Sequence, residues 1–234
     1  MDVRTITSGE SRTQAGGAAA LDRLAGTGGL VFAATLVADN VIRASAPGFN
    51  AAPAQVSAYF LDHRVAAIVP LGLFPLAMLG FFPFAAGMWA RTRQEDSRRW
   101  ASVGLLGAAT IAALFAIVNI TEIVLTAKAA QLASSPAVVQ ALSTLRAAAF
   151  GLDLAAIAVA LIGLSRAAVA MRLIPSWLAL TAWPGAACLL IASTFTVALA
   201  NGGPWLAVSL AGFIIWLVFV ITASVSLLRN HPIP

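Results

Sequence analysis

The residues of this chain that could do chemistry are few, and most are acids set inside apolar segments. In the stretch Phe115-Ala-Ile-Val-Asn119-Ile-Thr-Glu122 an amide and a carboxylate stand three residues apart, so on a helix they share a face with Phe115. Asp153 lies in another apolar run, with Arg146 seven residues before it and Phe150 between them, again on one helical face. Asp39 stands four residues before Arg43, the spacing at which helical side chains pair. A carboxylate turned toward lipid costs about 2–3 kcal/mol or more, so these acids must face a bundle interior or a wet cavity. Desolvation favours the protonated form of a carboxyl group, and a protonated acid among apolar neighbours can deliver its proton to an apolar substrate. Glu122, Asp153, Asp39 and His63 are therefore the candidate catalytic groups. Asn119 would orient the acid, Arg64 or Arg146 would receive a polar substrate end, and Tyr59, Phe60, Phe115 and Phe150 would line the site, with aromatic faces able to stabilise a cationic intermediate.

Each candidate also has a plain structural reading. Glu122 can pair with Arg146 across a helical hairpin, Asp39 can pair with Arg43, and His63 can be a polar residue at the membrane surface. Asp153 is deeper and is the hardest of the three acids to explain as interfacial.

The composition says where these residues must sit. With 60% hydrophobic residues, 10% charged residues and a mean hydropathy of +0.91, the chain lies outside the range of soluble domains and belongs in a bilayer. Its net charge of +5 resides in the short segments between apolar runs, which marks topology and excludes a nucleic-acid face. The single cysteine, Cys188, excludes an internal disulfide and a thiolate cluster. Only two histidines are present, so a haem held by two histidines within the spans is excluded, and no metal or cofactor is expected.

Six apolar runs are long enough to span, at about 25–42, 65–90, 100–126, 145–164, 175–199 and 205–228. Residues 1–20 read as a disordered tail without a cleavable signal, and 21–230 as one domain. Pro53 suits the first position of a short helix over 53–64, in which Val56, Tyr59, Phe60 and His63 recur at helical spacing and predict an amphipathic element on the outer surface. Pro70, Pro75 and Pro83 predict an irregular second span, and Trp183-Pro184-Gly185 predicts an interruption of the fifth. Ser135 and Pro136 read as N-cap and first residue of a helix, making the third and fourth spans a hairpin. Ten arginines fall on one side, in the tail, the loops 91–99 and 166–172 and the C-terminal end, against Arg43, Arg64, Lys128 and Arg146 on the other. That asymmetry places both termini in the cytoplasm of a cell-membrane protein.

The fold class expected is thus all-α: a polytopic six-transmembrane-helix bundle with one short outer amphipathic helix. Counting ~1.5 Å per residue from the basic end puts Asp39, Asp153 and Glu122 all in the outer half, where they are expected to line one outward or laterally open pocket capped by Tyr59, Phe60 and His63.

Leu21-Asp-Arg-Leu-Ala-Gly26 before the first span, Leu173-Ile-Pro-Ser-Trp-Leu178 opening the fifth, and a Trp-containing last span ending Leu227-Leu-Arg229 resemble a group of small six-helix membrane proteins of unknown function common in actinobacteria. The resemblance covers most of the chain and implies fold and compartment. In size, and in holding a few acids inside a helical bundle, the chain is similar in kind to integral-membrane terpene cyclases, which use a carboxylic acid to protonate an alkene or epoxide. The function expected is a membrane-embedded enzyme, of cyclase or isomerase type, acting by acid–base chemistry on an isoprenoid-like or lipid substrate. The alternative is a non-catalytic membrane protein that binds a small molecule or serves as a transporter subunit. Its partners are the membrane and a lipophilic molecule, with a homo-oligomer compatible with either reading.

Overall fold

The structure, a computed structural model, describes residues 4–92 and 94–229, and every described element is a helix. Six helices are long and apolar enough to cross a membrane. They are α1 (Arg4–Arg43), α3 (Arg64–Ala90), α4 (Glu95–Ala127), α6 (Pro136–Ala170), α7 (Ser176–Thr194) and α9 (Trp205–Arg229). Three short helices complete the order: α2 (Pro53–Asp62), α5 (Ala129–Leu132) and α8 (Thr196–Ala200). The six-span, all-helical membrane architecture read from the apolar runs is therefore what the chain forms.

Its spans form a ring in chain order. α1 packs on α3, α3 on α4, α4 on α6, α6 on α7 and α7 on α9, and α9 closes back on α1. Three of these seams are made by glycine meeting a small residue, where the missing side chain lets two backbones approach. Gly28 of α1 faces Gly80 of α3, Gly104 and Gly107 of α4 face Gly163 and Ala160 of α6, and Gly185 of α7 faces Gly212 of α9. Inside the ring, Phe32, Phe81 and Trp216 pack together, with Phe32 and Phe81 stacked at 4.4 Å. α6 is drawn furthest inward: 67% of its most apolar window is buried, against 33–44% for the other five spans. A group on the inner face of α6 is therefore shielded from lipid by protein on several sides.

Local sequence explains the element ends. Pro136 occupies the first turn of α6 after Ser135, where its absent N–H costs nothing, although the Ser135 side chain makes no capping bond. α2 begins at Pro53 for the same reason and presses Val56, Tyr59 and Phe60 onto Leu125, Ala129 and Val139 at the end of the α4–α6 hairpin. Between α1 and α2 the chain crosses the bundle end, bringing Asn50 against Gly202. Gly202 has φ +80°, a conformation that favours glycine.

Several boundaries differ from the sequence reading. α1 is helical from Arg4, so residues 4–20, read as a disordered tail, continue the first span's helix, since extending a formed helix needs no new nucleus; residues 1–3 lie outside the described residues. α3 is continuous through Pro70, Pro75 and Pro83, and α7 is continuous through Pro184. Each proline removes a single donor while the neighbouring helices keep the chain in place. The fifth span breaks instead at Phe195, within Ser193-Thr-Phe-Thr196. There Thr194 Oγ1 donates to the Leu190 carbonyl and Thr196 Oγ1 to that of Ser193, so side chains compete with the helical ladder.

Candidate functional site

The polar residues singled out in the sequence separate into two groups, and only one of them is a cluster. Arg43, at the last turn of α1, is its hub. Its Nε donates to both carboxylate oxygens of Asp39 at 2.9 Å, as the i, i+4 spacing on one helix allows. Its Nη1 donates to Glu122 Oε2 on α4, its Nη2 reaches Asn119 Oδ1 at 3.5 Å, and its guanidinium lies 5.8 Å from the centre of the Phe115 ring. Asn119 is held in place by its own Nδ2, which donates to the Phe115 carbonyl at 2.8 Å.

Arg146 of α6 approaches from the other side. Its Nη1 donates to Glu122 Oε1 at 3.3 Å and its Nη2 to the Pro47 carbonyl at 3.4 Å, while Phe49 covers the guanidinium at 5.3 Å and itself packs on Phe150 at 5.3 Å. Glu122 thus sits between two guanidinium groups, one oxygen to each. Two acids and two bases make the cluster formally neutral, and Asp39, Glu122 and Arg146 are each at most 6% exposed. Charges buried this way persist because each has a counter-ion and a directed hydrogen bond. The pairing of Glu122 with Arg146 expected across the hairpin is present, and so is that of Asp39 with Arg43. The meeting of Arg43 with Glu122 was not foreseen. Nor was the cap over Arg146 made by Pro47 and Phe49, and neither has a local sequence signal.

Asp153 is outside this cluster. It lies seven residues further along α6 than Arg146, about 10 Å along the axis, and is 4% exposed. Its Oδ1 has no hydrogen-bond partner, and no cation pairs with it among the described residues. Ser143 Oγ and Arg146 Nε, also on α6, are buried without partners too. Positions 143, 146 and 153 fall within an arc of about 80° on an ideal helix, so α6 presents one strip of unsatisfied polar atoms running inward from the bundle end.

The single capped pocket expected around all four polar groups is not what the chain builds. Asp39, Asn119 and Glu122 come together on Arg43, whereas Asp153 stands apart. Tyr59 and Phe60 are buried on the inner face of α2, but His63 is exposed, stacked on Tyr59 at 5.1 Å, and Arg64 is exposed as well. Phe115 and Phe150 are half-buried. A cavity of about 300 Å3 lies at the far end of α4, α6 and α7 and a second of about 230 Å3 on the α1–α3 flank; neither is lined by these acids. Comparison with protein-family models, curated proteins and solved structures gives no match to this chain.

Proposed function

We propose that the chain is a membrane-embedded enzyme that uses Asp153 as a general acid toward a lipophilic substrate of isoprenoid or lipid type. The observation that carries this reading is the isolation of Asp153: a buried carboxyl with no cation and a free Oδ1, on the most enclosed span of the bundle. A carboxyl group with no ion pair and an oxygen free of any protein partner is open to a substrate alkene or epoxide, toward which it would act as general acid. Glu122 and Asp39 are less available to a substrate, because the carboxylate oxygens of each are already engaged by guanidinium groups. Asp39 holds Arg43, while Glu122 holds Arg146, whose unpaired Nε would take the polar end of an amphipathic molecule. Phe150, between the two along α6, would flank the apolar body. The substrate this suits carries its polar end about 10 Å from the carbon that is protonated. In kind this chemistry is that of the integral-membrane terpene cyclases.

Cyclisation or double-bond isomerisation started by one proton and ended by loss of another conserves mass, which sets the test. Reconstituted protein is incubated with the lipid extract of its expression host in D2O, and the lipids are compared by chromatography and mass spectrometry. The expected result is a species of unchanged elemental composition, shifted retention and incorporated deuterium, absent with Asp153→Asn. Wild type and variant giving the same species, or neither giving one, overturns the reading.

A specific observation favours a second reading, a non-catalytic membrane subunit or binding protein: the two cavities described lie away from Asp153. Against the subunit version, the seam-forming glycines are already covered within the monomer, which leaves their close-packing faces unavailable to a partner helix.

A further inference from the structure

The end of the bundle opposite the arginine cluster carries a groove that the acid–base reading does not use. It is the cavity of about 300 Å3 between the first turns of α4 and α7 and the last turns of α6, and its walls include Asp96, Ser97, Trp100, Arg166, Ser176 and Trp183. Two charges of opposite sign line it without neutralising each other. Asp96 and Arg166 are both exposed, and neither has a salt-bridge partner within 4.0 Å among the described residues. Arg166 is steadied by Trp100, whose ring its guanidinium faces at 5.5 Å, a contact that leaves the N–H edge free. Ser176 is the first residue of α7, so the positive end of that helix opens into the same space.

The wall has a direction. Ser176, Leu180 and Trp183 lie at i, i+4 and i+7 on α7, one face running from the charged end into the apolar span. Leu180 is 69% and Trp183 49% exposed, toward where lipid must be.

We propose that this groove binds one phospholipid with a phosphoethanolamine-type headgroup. The phosphate is taken by Arg166 and the α7 N-terminus, the primary ammonium by Asp96, and an acyl chain lies along Leu180 and Trp183. A lone cation would accept any anionic lipid, but Asp96 makes the groove neutral overall, so it matches a zwitterion better than a lipid of net negative charge. A quaternary ammonium has no N–H to donate to Asp96, which separates ethanolamine from choline. The apolar wall separates a lipid from a soluble phosphate ester.

Detergent-purified, delipidated protein titrated with short-chain phosphatidyl-ethanolamine, -choline and -glycerol, with thermal unfolding as readout, tests this. The ethanolamine lipid is expected to bind most tightly. Arg166→Gln should weaken all three by about tenfold, the scale of one lost charge-assisted hydrogen bond. Asp96→Asn should erase the ethanolamine preference alone. Both side chains are exposed, so the lipid-free midpoint should not move. Equal binding of the three lipids, a preference that survives Asp96→Asn, or soluble phosphoethanolamine binding as tightly as the lipid would each overturn the proposal.

Discussion

Glu122 holds two guanidinium groups at once, so converting it to an amide leaves Arg43 with Asp39 alone and strips buried Arg146 of its one ion pair among the described residues. Glu122→Gln should therefore destabilise by about 3–5 kcal/mol, the cost of leaving a buried charge uncompensated, read as a lower unfolding midpoint in detergent; an unmoved midpoint would mean that water already screens the pairs. Asp153 predicts the opposite. It has no partner to lose, and an unsatisfied buried polar atom costs about 1–3 kcal/mol, so Asp153→Leu should raise the midpoint while abolishing the proposed turnover. A site whose removal stabilises the protein is what a retained functional group looks like. How far these residues were legible depended on geometry. Asp39 with Arg43 follows from spacing on one helix, and Glu122 with Arg146 from the length of a hairpin arm. Arg43 with Glu122 joins two spans that are not neighbours in the ring and meet through a long side chain, which no periodicity encodes. The isolation of Asp153 was equally hidden, because the sequence shows that an acid is buried without showing what lies opposite.

Two glycines of α3 separate packing from propensity at the level of the element. A Cβ on Gly80 would stand 2.4 Å from the Gly28 carbonyl oxygen and 2.9 Å from the Phe32 nitrogen; both are backbone atoms that cannot swing aside. Gly80→Ala should force α1 from α3 at a cost of about 1–3 kcal/mol. Gly72, on the same helix, meets nothing within 4 Å, so Gly72→Ala should stabilise by about 0.5–1 kcal/mol through helix propensity alone. Unfolding midpoints of the two variants measured side by side check both signs. Existence and number of spans were readable because twenty apolar residues in a row have few other fates. The prolines misled because their penalty is local and a packed neighbour can offset it, whereas the break at Phe195 came from hydroxyl side chains that carry no such warning.

Six spans put the start of α1 and the end of α9 on one face, and the basic residues gathered on that side lead to the expectation that it faces the cytoplasm. In a Cys188→Ser background, a cysteine replacing exposed Ser134 should react with a membrane-impermeant thiol reagent in intact cells, and one replacing exposed Gln94 only after permeabilisation; the reverse pattern would invert the topology. The ring also dictates an order of assembly. Five of its seams join spans that leave the ribosome one after the other, so each can form as the next helix enters the bilayer. The sixth joins α1 to α9, with Gly26 and Gly29 against Leu228 and Ser224, and must wait for the whole chain. Until then the rings of Phe32, Phe81 and Phe84 lack Trp216 and Phe219 and face acyl chains or an insertase instead. The first span must therefore persist with α3 on one side and its α9-facing side uncovered throughout synthesis, and a nascent chain stalled before α9 emerges is an open arc that quality-control proteases can recognise by its missing side.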